Sequence, residues 1–193
     1  DAELKNLRNQ INPHFLLNTL NNIYALTAFD PTRAQEAIMQ LSGMLRHVLY
    51  DNQQEFVKLQ DEVAFIHSYV NLMKMRTPKT CHINVEVDIP EPCNKLVAPL
   101  IFISLIENAF KHGIAASGES FISISIKANT EGIECNVENS NHPKLQTDRS
   151  GHGIGLQQVQ KRLELSYGNR FSWEKGTKEN DSIYFSKIMI YDA

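Results

Sequence analysis

Residues 97–113 have the sequence VAPLIFISLIENAFKHG, an apolar segment whose last turns carry four polar side chains. Pro99 stands near its start and Gly113 at its end, which are the places that proline and glycine favour at the two ends of a helix. This pattern predicts a buried helix from Leu100 to His112. The four polar residues are one, three and four positions apart, so neighbouring turns present them on one broad side: Glu107, Asn108, Lys111 and His112.

This polar group has a chemical interpretation and a purely structural one. The side-chain oxygen of Asn108 suits Mg²⁺, which takes few protein ligands and completes its shell with phosphate oxygens and water. Lys111 and His112 are natural partners for phosphate. A helix end also favours cations because of its dipole, which accounts for Lys111 and His112 without any ligand. It does not account for an asparagine inside a strongly apolar run.

The hydrophobic period divides the rest of the chain into two halves. Before residue 77 the spacing is helical, over about 2–28, 31–49 and 59–76. After residue 81 it alternates with period two around 83–87, 121–127, 133–137, 171–174 and 183–190, with one more helix at 154–167 and a polar loop at 139–153. We therefore predict an α+β fold: a helical hairpin over residues 1–78 and a two-layer α+β domain over residues 79–193.

Composition and charge exclude several classes of protein. The 193 residues are 42% hydrophobic and 21% charged, which is ordinary for a globular protein and excludes a disordered chain. A net charge of −3 gives no basic footprint, so we expect no direct contact with nucleic acid. Cys81, Cys93 and Cys135 form no C-x-x-C pair and are expected to be reduced thiols. The chain begins at Asp1 rather than Met, so we expect a longer protein upstream.

A second group of candidate residues surrounds His14 in the segment NPHFLLN, residues 12–18. Pro13 is predicted to kink the first helix, because it lacks a backbone donor and clashes with the preceding turn. His14 follows the kink and shares a polar face with Asn18, Asn21 and Asn22. The unperturbed pKa of an imidazole is about 6.5, so a ring nitrogen is free near neutral pH and can act as a nucleophile. The structural alternative is a hydrogen-bonded histidine at a helix interface.

The third group is the segment GHGIGL, residues 151–156, directly before a predicted helix. Glycines let the backbone approach a ligand closely, and the amides at the helix start attract phosphate. The segment lacks the G-K-[ST] ending of a P-loop, and it follows a polar loop rather than a strand, unlike the Rossmann pattern. Taken alone, it is a weak signal.

In their order and spacing, these segments resemble the LytS-type family of sensor histidine kinases, whose phosphoacceptor segment reads N-P-H-F-L-(F/L)-N. The resemblance extends over nearly the whole chain. Residues 59–76 look like the second dimerisation helix, 97–113 like the N box, and 151–168 like the G box with its following helix. It implies a Bergerat (GHKL) two-layer α/β sandwich with a mixed sheet over 79–193, after a dimerisation and phosphoacceptor hairpin over 1–78.

The resemblance also implies the chemistry: a protein histidine kinase uses ATP and Mg²⁺ to phosphorylate His14, then passes the phosphoryl group to an aspartate of a response regulator. Asn108 would hold Mg²⁺, and Glu107 would orient or polarise the groups around it. Histidine kinases of the classical type place an acidic residue directly after the histidine, where this chain has Phe15, so Glu107 is only a candidate base. ATP contacts would come from Lys111, His112, Asn139, the lid-hinge glycines Gly151, Gly153 and Gly155, and Leu156.

The partners implied by the resemblance are a second copy of the chain and a response regulator of the LytTR type. A homodimer would form through the helical hairpin. Family members are usually anchored in the bacterial inner membrane through an upstream region, so this chain would be the cytoplasmic part.

One segment departs from the family pattern. GHKL proteins usually carry an aspartate in a D-x-G-x-G segment that binds the adenine amino group. The matching place here has Asn139 and Asn141. A neutral acceptor contributes about 0.5–1.5 kcal/mol where a charged one contributes about 1.5–3, so ATP affinity is expected to be about tenfold weaker.

Two other functions stay open from the sequence. A signalling scaffold would dimerise and relay conformation without ATP turnover, and Asn139 would then mark a nucleotide-poor protein. A GHKL ATPase or protein-serine kinase of the anti-sigma type fits less well, because it does not account for the Pro13-His14 segment.

Overall fold

The computed structural model describes residues 13–50, 54–142 and 154–192, with side chains given for 16–48, 54–142 and 157–192. Its helices are α1 (Pro13–Phe29), α2 (Pro31–Tyr50), α3 (Leu59–Lys74), α4 (Ile103–His112) and α5 (Ile154–Tyr167). Asp30 separates α1 from α2, and its Oδ1 accepts a hydrogen bond from the backbone N–H of Arg33 at 3.1 Å. This is the geometry of a helix cap with proline in the first helical position.

A mixed five-stranded sheet forms the second layer. Its strands are β2 (Cys81–Asp88), β4 (Ser120–Ala128), β5 (Gly132–Ser140), β6 (Phe171–Lys178) and β7 (Ile183–Tyr191), in the order β2-β4-β5-β7-β6. The pair β2–β4 is parallel and the other pairs are antiparallel. The predicted α+β class with a mixed sheet is confirmed.

The core lies between the sheet and the helices on one of its faces. On β4, Ile122, Ile124 and Ile126 are fully buried, while the residues between them point to the other face and are partly exposed. The helix α4 packs on β4 and β5 and also contacts α5. Alternation along the strands therefore produced the two layers, as period-two patterning predicts.

A short antiparallel pair joins the helical half to the sheet half. Strands β1 (Val57–Lys58) and β3 (Leu96–Val97) pair with Val57 opposite Val97. The helix α3 packs against α2 and also contacts β2 and β3. Contacts thus cross residue 78 in several places, and the division of the chain at that residue stays a prediction.

Several predicted boundaries were wrong. The helix α4 begins at Ile103 rather than Leu100, because residues 99–102 form a turn in which Leu100 has φ of 57°. The strand β5 extends to Ser140, so Asn139 belongs to the sheet and not to the predicted loop. The strand β6 continues to Lys178. The turn before Pro13, where the kink was predicted, lies outside the described residues.

Two features of composition have structural counterparts. Cys81, Cys93 and Cys135 are free and buried, as predicted for structural thiols. Among the residues that the structure describes, no helix has the length and apolar character to cross a membrane.

Candidate functional site

The polar residues of α4 lie in its last two turns, where the helix leaves the core. Asn108 and His112 are partly buried, and Lys111 is exposed. Ile106, Ala109 and Phe110 on the same helix are buried against the sheet and the neighbouring helices. The helix closes at Gly113, whose backbone N–H donates to the carbonyl oxygen of Ala109 at 2.7 Å. Helical spacing therefore places the predicted group together at one end of α4, as expected.

The end of α4 meets Asn139 on β5 in direct contact. A Cβ atom added to Gly113 would lie 2.7 Å from the Cβ of Asn139 and 2.6 Å from the carbonyl oxygen of Ala109. Such distances leave room for a hydrogen and nothing larger. Nε2 of His142, just beyond β5, lies 3.3 Å from the carbonyl oxygen of Gly113. The structure thus joins two predicted segments that are 26 residues apart in the sequence.

Asn139 occupies a core position of the central strand. It stands opposite Ile122 on β4 and Tyr184 on β7, and it continues the buried row of Cys135 and Val137. Only 2% of Asn139 is exposed. Its Nδ2 donates to the carbonyl oxygen of Ser140 at 2.8 Å, so Oδ1 is the side-chain atom that is suited to accept a hydrogen bond from a ligand. Register also places the partly buried Tyr184 beside Asn139, and sequence reasoning missed this residue because β7 was read only as a strand.

Glu107 lies partly buried on α4, and burial raises the pKa of its carboxyl group to about 7. Tyr69 on α3 lies close enough for the charge of Glu107 to add to burial in raising the pKa of the Tyr69 phenol. The ring of Tyr69 also packs edge-on against Phe110, with ring centroids 6.0 Å apart. A carboxyl group with this pKa changes its protonation state near neutral pH and can take up or release a proton there.

A buried carboxylate that sequence reasoning also missed lies behind α4. Glu62 on α3 is completely buried, and its Oε2 accepts a hydrogen bond from the backbone N–H of Leu100 at 3.0 Å. The same oxygen is 3.4 Å from Nε2 of His47 on α2. The available signal was a charged residue on the apolar face of a predicted helix, between Leu59 and Val63.

Other predicted site residues are placed only by their backbone or not at all. His14 is the second residue of α1, and its side chain lies outside the described part. Gly151 and Gly153 are outside the described residues. Gly155 and Leu156 belong to the first turn of α5, where side chains are not described. The described structure therefore brings the end of the helix that carries Glu107 and Asn108 against Asn139.

Comparisons with known proteins bear on the family and the fold of this chain. The sequence profile of the family described as histidine kinase matches residues 2–81. The sensor protein LytS of Streptococcus mutans is 31% identical over 182 residues, covering 87% of this chain and 31% of that protein. The chain belongs to the LytS-type sensor histidine kinase family. A further family member, the sensor histidine kinase/phosphatase LytS of Staphylococcus aureus, is 28% identical over 181 residues, again 87% of this chain and 31% of that protein.

The fold of this family member also occurs in a solved kinase. The histidine kinase domain of the blue-light activated histidine kinase EL346 from Erythrobacter litoralis superposes with a TM-score of 0.55, covering 98% of this chain and 93% of that domain. The two are 12% identical, so the match shows a common fold. This chain spans about a third of the length of the curated relatives that it matches.

Proposed function

We propose that this chain is the kinase core of a two-component sensor protein, which uses ATP and Mg²⁺ to phosphorylate His14 and passes the phosphoryl group to an aspartate of a response regulator. The observation that carries the proposal is the contact between Gly113 and Asn139. It puts a buried amide on β5 beside the helix end that presents Asn108, Lys111 and His112. This arrangement offers a hydrogen-bond acceptor for the adenine base and polar groups for the triphosphate in one place.

The residues fit a magnesium nucleotide by their chemistry. Oδ1 of Asn139 would accept a hydrogen bond from the adenine amino group. The side-chain oxygen of Asn108 would be the protein ligand of Mg²⁺. Lys111 and His112 at the helix end would contact phosphates. When bound, the ion neutralises charge on the phosphate oxygens. No cluster of three His, Cys, Asp or Glu side chains that could hold a metal occurs among the described residues.

The phosphoryl acceptor in this proposal is a ring nitrogen of His14 on α1. The glycine segment 151–155 and Leu156 would cover the phosphates at the start of α5. Glu107 is the candidate to orient the groups around the metal and to hold a proton, because a pKa of about 7 suits proton transfer near neutral pH. The cost of the neutral acceptor at Asn139 predicts an ATP dissociation constant in the high micromolar to millimolar range. A value below about a micromolar would contradict that reasoning.

The proposed partners are a second copy of the chain and a response regulator of the LytTR type, with no direct contact to nucleic acid. Three large apolar side chains follow a three- and four-residue spacing along one side of α1 and stay exposed in the monomer, which supports a homodimer: Leu17, Leu20 and Tyr24. We place the chain on the cytoplasmic side of the inner membrane, attached through an upstream region. The Staphylococcus aureus relative is a sensor histidine kinase/phosphatase, and we propose phosphatase activity as a second activity of the same site.

The first test is binding of Mg²⁺-ATP by titration calorimetry to the unchanged chain and to Asn108→Ala. The matched control is Asn71→Ala, which removes an exposed amide from α3. Binding that Asn108→Ala abolishes and Asn71→Ala keeps supports the ATP site. No binding at millimolar ATP would refute it and favour a signalling scaffold that works without ATP turnover.

The second test is the site of phosphorylation. Incubation with γ-labelled ATP is expected to give an acid-labile, base-stable label that His14→Gln removes. His67→Gln is the control, because His67 is an exposed histidine on α3. A label that survives His14→Gln would refute His14 as the acceptor.

A further inference from the structure

Complete burial of the Glu62 carboxylate is energetically unfavourable, and its neighbours on α3 do not compensate for it. Its neighbours on the same side of α3, Leu59 and Ile66, are fully buried apolar residues. A charge in such surroundings is strongly unfavourable unless hydrogen bonds and opposite charges compensate it. One of its two oxygens, Oε1, has no hydrogen-bond partner among the described residues. The contacts of the other oxygen must therefore account for a carboxylate at this position.

Those contacts lead to the turn that begins α4. Oε2 accepts a hydrogen bond from the backbone N–H of Leu100, the residue with φ of 57°. A left-handed conformation is unfavourable for a residue with a Cβ, and leucine is not among the residues that tolerate it best. Leu100 is itself buried, so its side chain holds this turn in the core. A strong acceptor for its N–H stabilises the backbone conformation that turns the chain into α4 three residues later.

A second hydrogen bond holds the same turn from the other side. The hydroxyl oxygen of Tyr167, the last residue of α5, accepts a hydrogen bond from the backbone N–H of Ala98 at 2.6 Å. Residues 98–100 are thus attached both to α3, through Glu62, and to α5, through Tyr167. The segment they attach leads directly into the helix that carries Asn108.

The charged and titratable groups around Glu62 come from three further elements. His47 on α2 lies 3.4 Å from its Oε2. Arg162 on α5 has its pKa lowered by burial, and the charge of Glu62 acts in the opposite direction. Cys135 on β5 has its pKa raised by burial, to which the charge of Glu62 adds. The carboxylate therefore lies where α2, α3, α5 and the sheet approach one another.

We infer that Glu62 is a positioning residue for nucleotide binding: by holding the N–H of Leu100 it fixes where α4 starts, and so fixes the place of Asn108 relative to Asn139. The inference rests on the proposed function for its effect on ATP. Glu62 would then affect ATP binding from its buried position on α3, although it touches no substrate. Because His47 on α2 contacts the same oxygen, the start of α4 is also tied to the helices that follow His14.

The test compares Glu62→Leu, which removes the acceptor, with Glu62→Gln, which keeps an acceptor oxygen of similar reach. Three measurements are made on each variant. Without nucleotide, ¹⁵N NMR spectra give the side-chain amide signals of Asn108 and Asn139, and hydrogen exchange gives the protection of the Leu100 amide. Calorimetry gives the affinity for Mg²⁺-ATP. Glu36→Leu, at an exposed position on α2, is the control.

For Glu62→Leu we expect faster exchange at Leu100, a displaced Asn108 signal and ATP binding weakened about tenfold or more, the scale of one lost charged hydrogen bond. Glu62→Gln should keep the Leu100 amide protected and the affinity within about threefold. A folded Glu62→Leu variant with an unmoved Asn108 signal and unchanged affinity would overturn the inference. If Glu62→Leu does not fold, Glu62→Met, which also lacks an acceptor, takes its place. A folded Glu62→Met variant that keeps the Leu100 amide protected and the ATP affinity unchanged would overturn the inference equally. If the unchanged chain binds no ATP, the proposed function fails, and the nucleotide-free signals still decide the role of Glu62.

Discussion

The raised pKa of Glu107 predicts that this protein loses stability as the pH rises from about 4.5 to about 7. Burial moves the pKa of the carboxyl group from its ordinary value of 4.5 to about 7 in the folded chain. Each pKa unit corresponds to about 1.36 kcal/mol, so the difference of about 2.5 amounts to roughly 3 kcal/mol. The unfolded chain releases this proton near pH 4.5 and the folded chain near pH 7. The stability contributed by the protonated carboxyl is therefore fully present below pH 4.5, falls between pH 4.5 and 7, and is absent above that.

The substitution Glu107→Gln should remove this loss, because glutamine has nearly the same shape and no charge. We compare the free energy of unfolding of the variant with that of the unchanged chain. The variant's excess should be up to about 3 kcal/mol larger at pH 8 than at pH 4.5. For a chain of this size, that corresponds to roughly 6–12 °C in midpoint temperature. The gain comes with a loss of kinase activity if Glu107 handles a proton or orients the metal, as proposed.

The assay is urea unfolding at pH values from 4.5 to 8.5, in EDTA and without nucleotide, so that only the apo protein is measured. Glu36→Gln, which changes an exposed glutamate on α2, is the control and should follow the unchanged chain. Parallel stability profiles for the unchanged chain and Glu107→Gln would refute the reasoning, because they would show that ionisation of Glu107 costs nothing in the folded state.

Three further predictions concern the proposed ATP site and the proposed dimer. Gly113→Ala should lower the free energy of unfolding by about 1–3 kcal/mol and weaken ATP binding, because its Cβ would lie under 3.0 Å from Asn139. Gly43→Ala, an exposed α2 position with nothing within 4 Å, should instead be neutral or stabilising by urea titration. Asn139→Asp should tighten ATP binding about tenfold by calorimetry, and unchanged affinity would contradict the assumed adenine contact. Leu17→Glu combined with Tyr24→Glu should convert a dimer into monomers in sedimentation, and an unaltered dimer would place the interface elsewhere.

The sequence was informative where one local pattern decided the structure. The apolar run before Glu107 and the glycine after His112 predicted α4 and the polar group at its end. Alternation in β4 predicted both the strand and the face it buries. Such patterns depend on near neighbours in the chain, and so they can be recognised without knowing what packs against them.

The parts that could not be predicted depend on distant contacts. The turn before α4 depends on a carboxylate 38 residues earlier, and no local pattern shows that Leu100 takes a left-handed conformation. The polar run that starts at Asn139 predicts a loop, yet pairing with both β4 and β7 keeps Asn139 in the sheet. The two-residue strands β1 and β3 are too short for any period to appear.

The contact between Gly113 and Asn139 constrains how this site can diversify. The two positions share one small volume, so a side chain at 113 requires the loss of one at 139. If Asn139 binds the adenine base as proposed, changes in base preference are restricted to the polar head of residue 139, where an amide and a carboxylate occupy the same space. A bulkier recognition group would have to enter from β7, beside Tyr184, where the sheet rather than the helix sets the spacing.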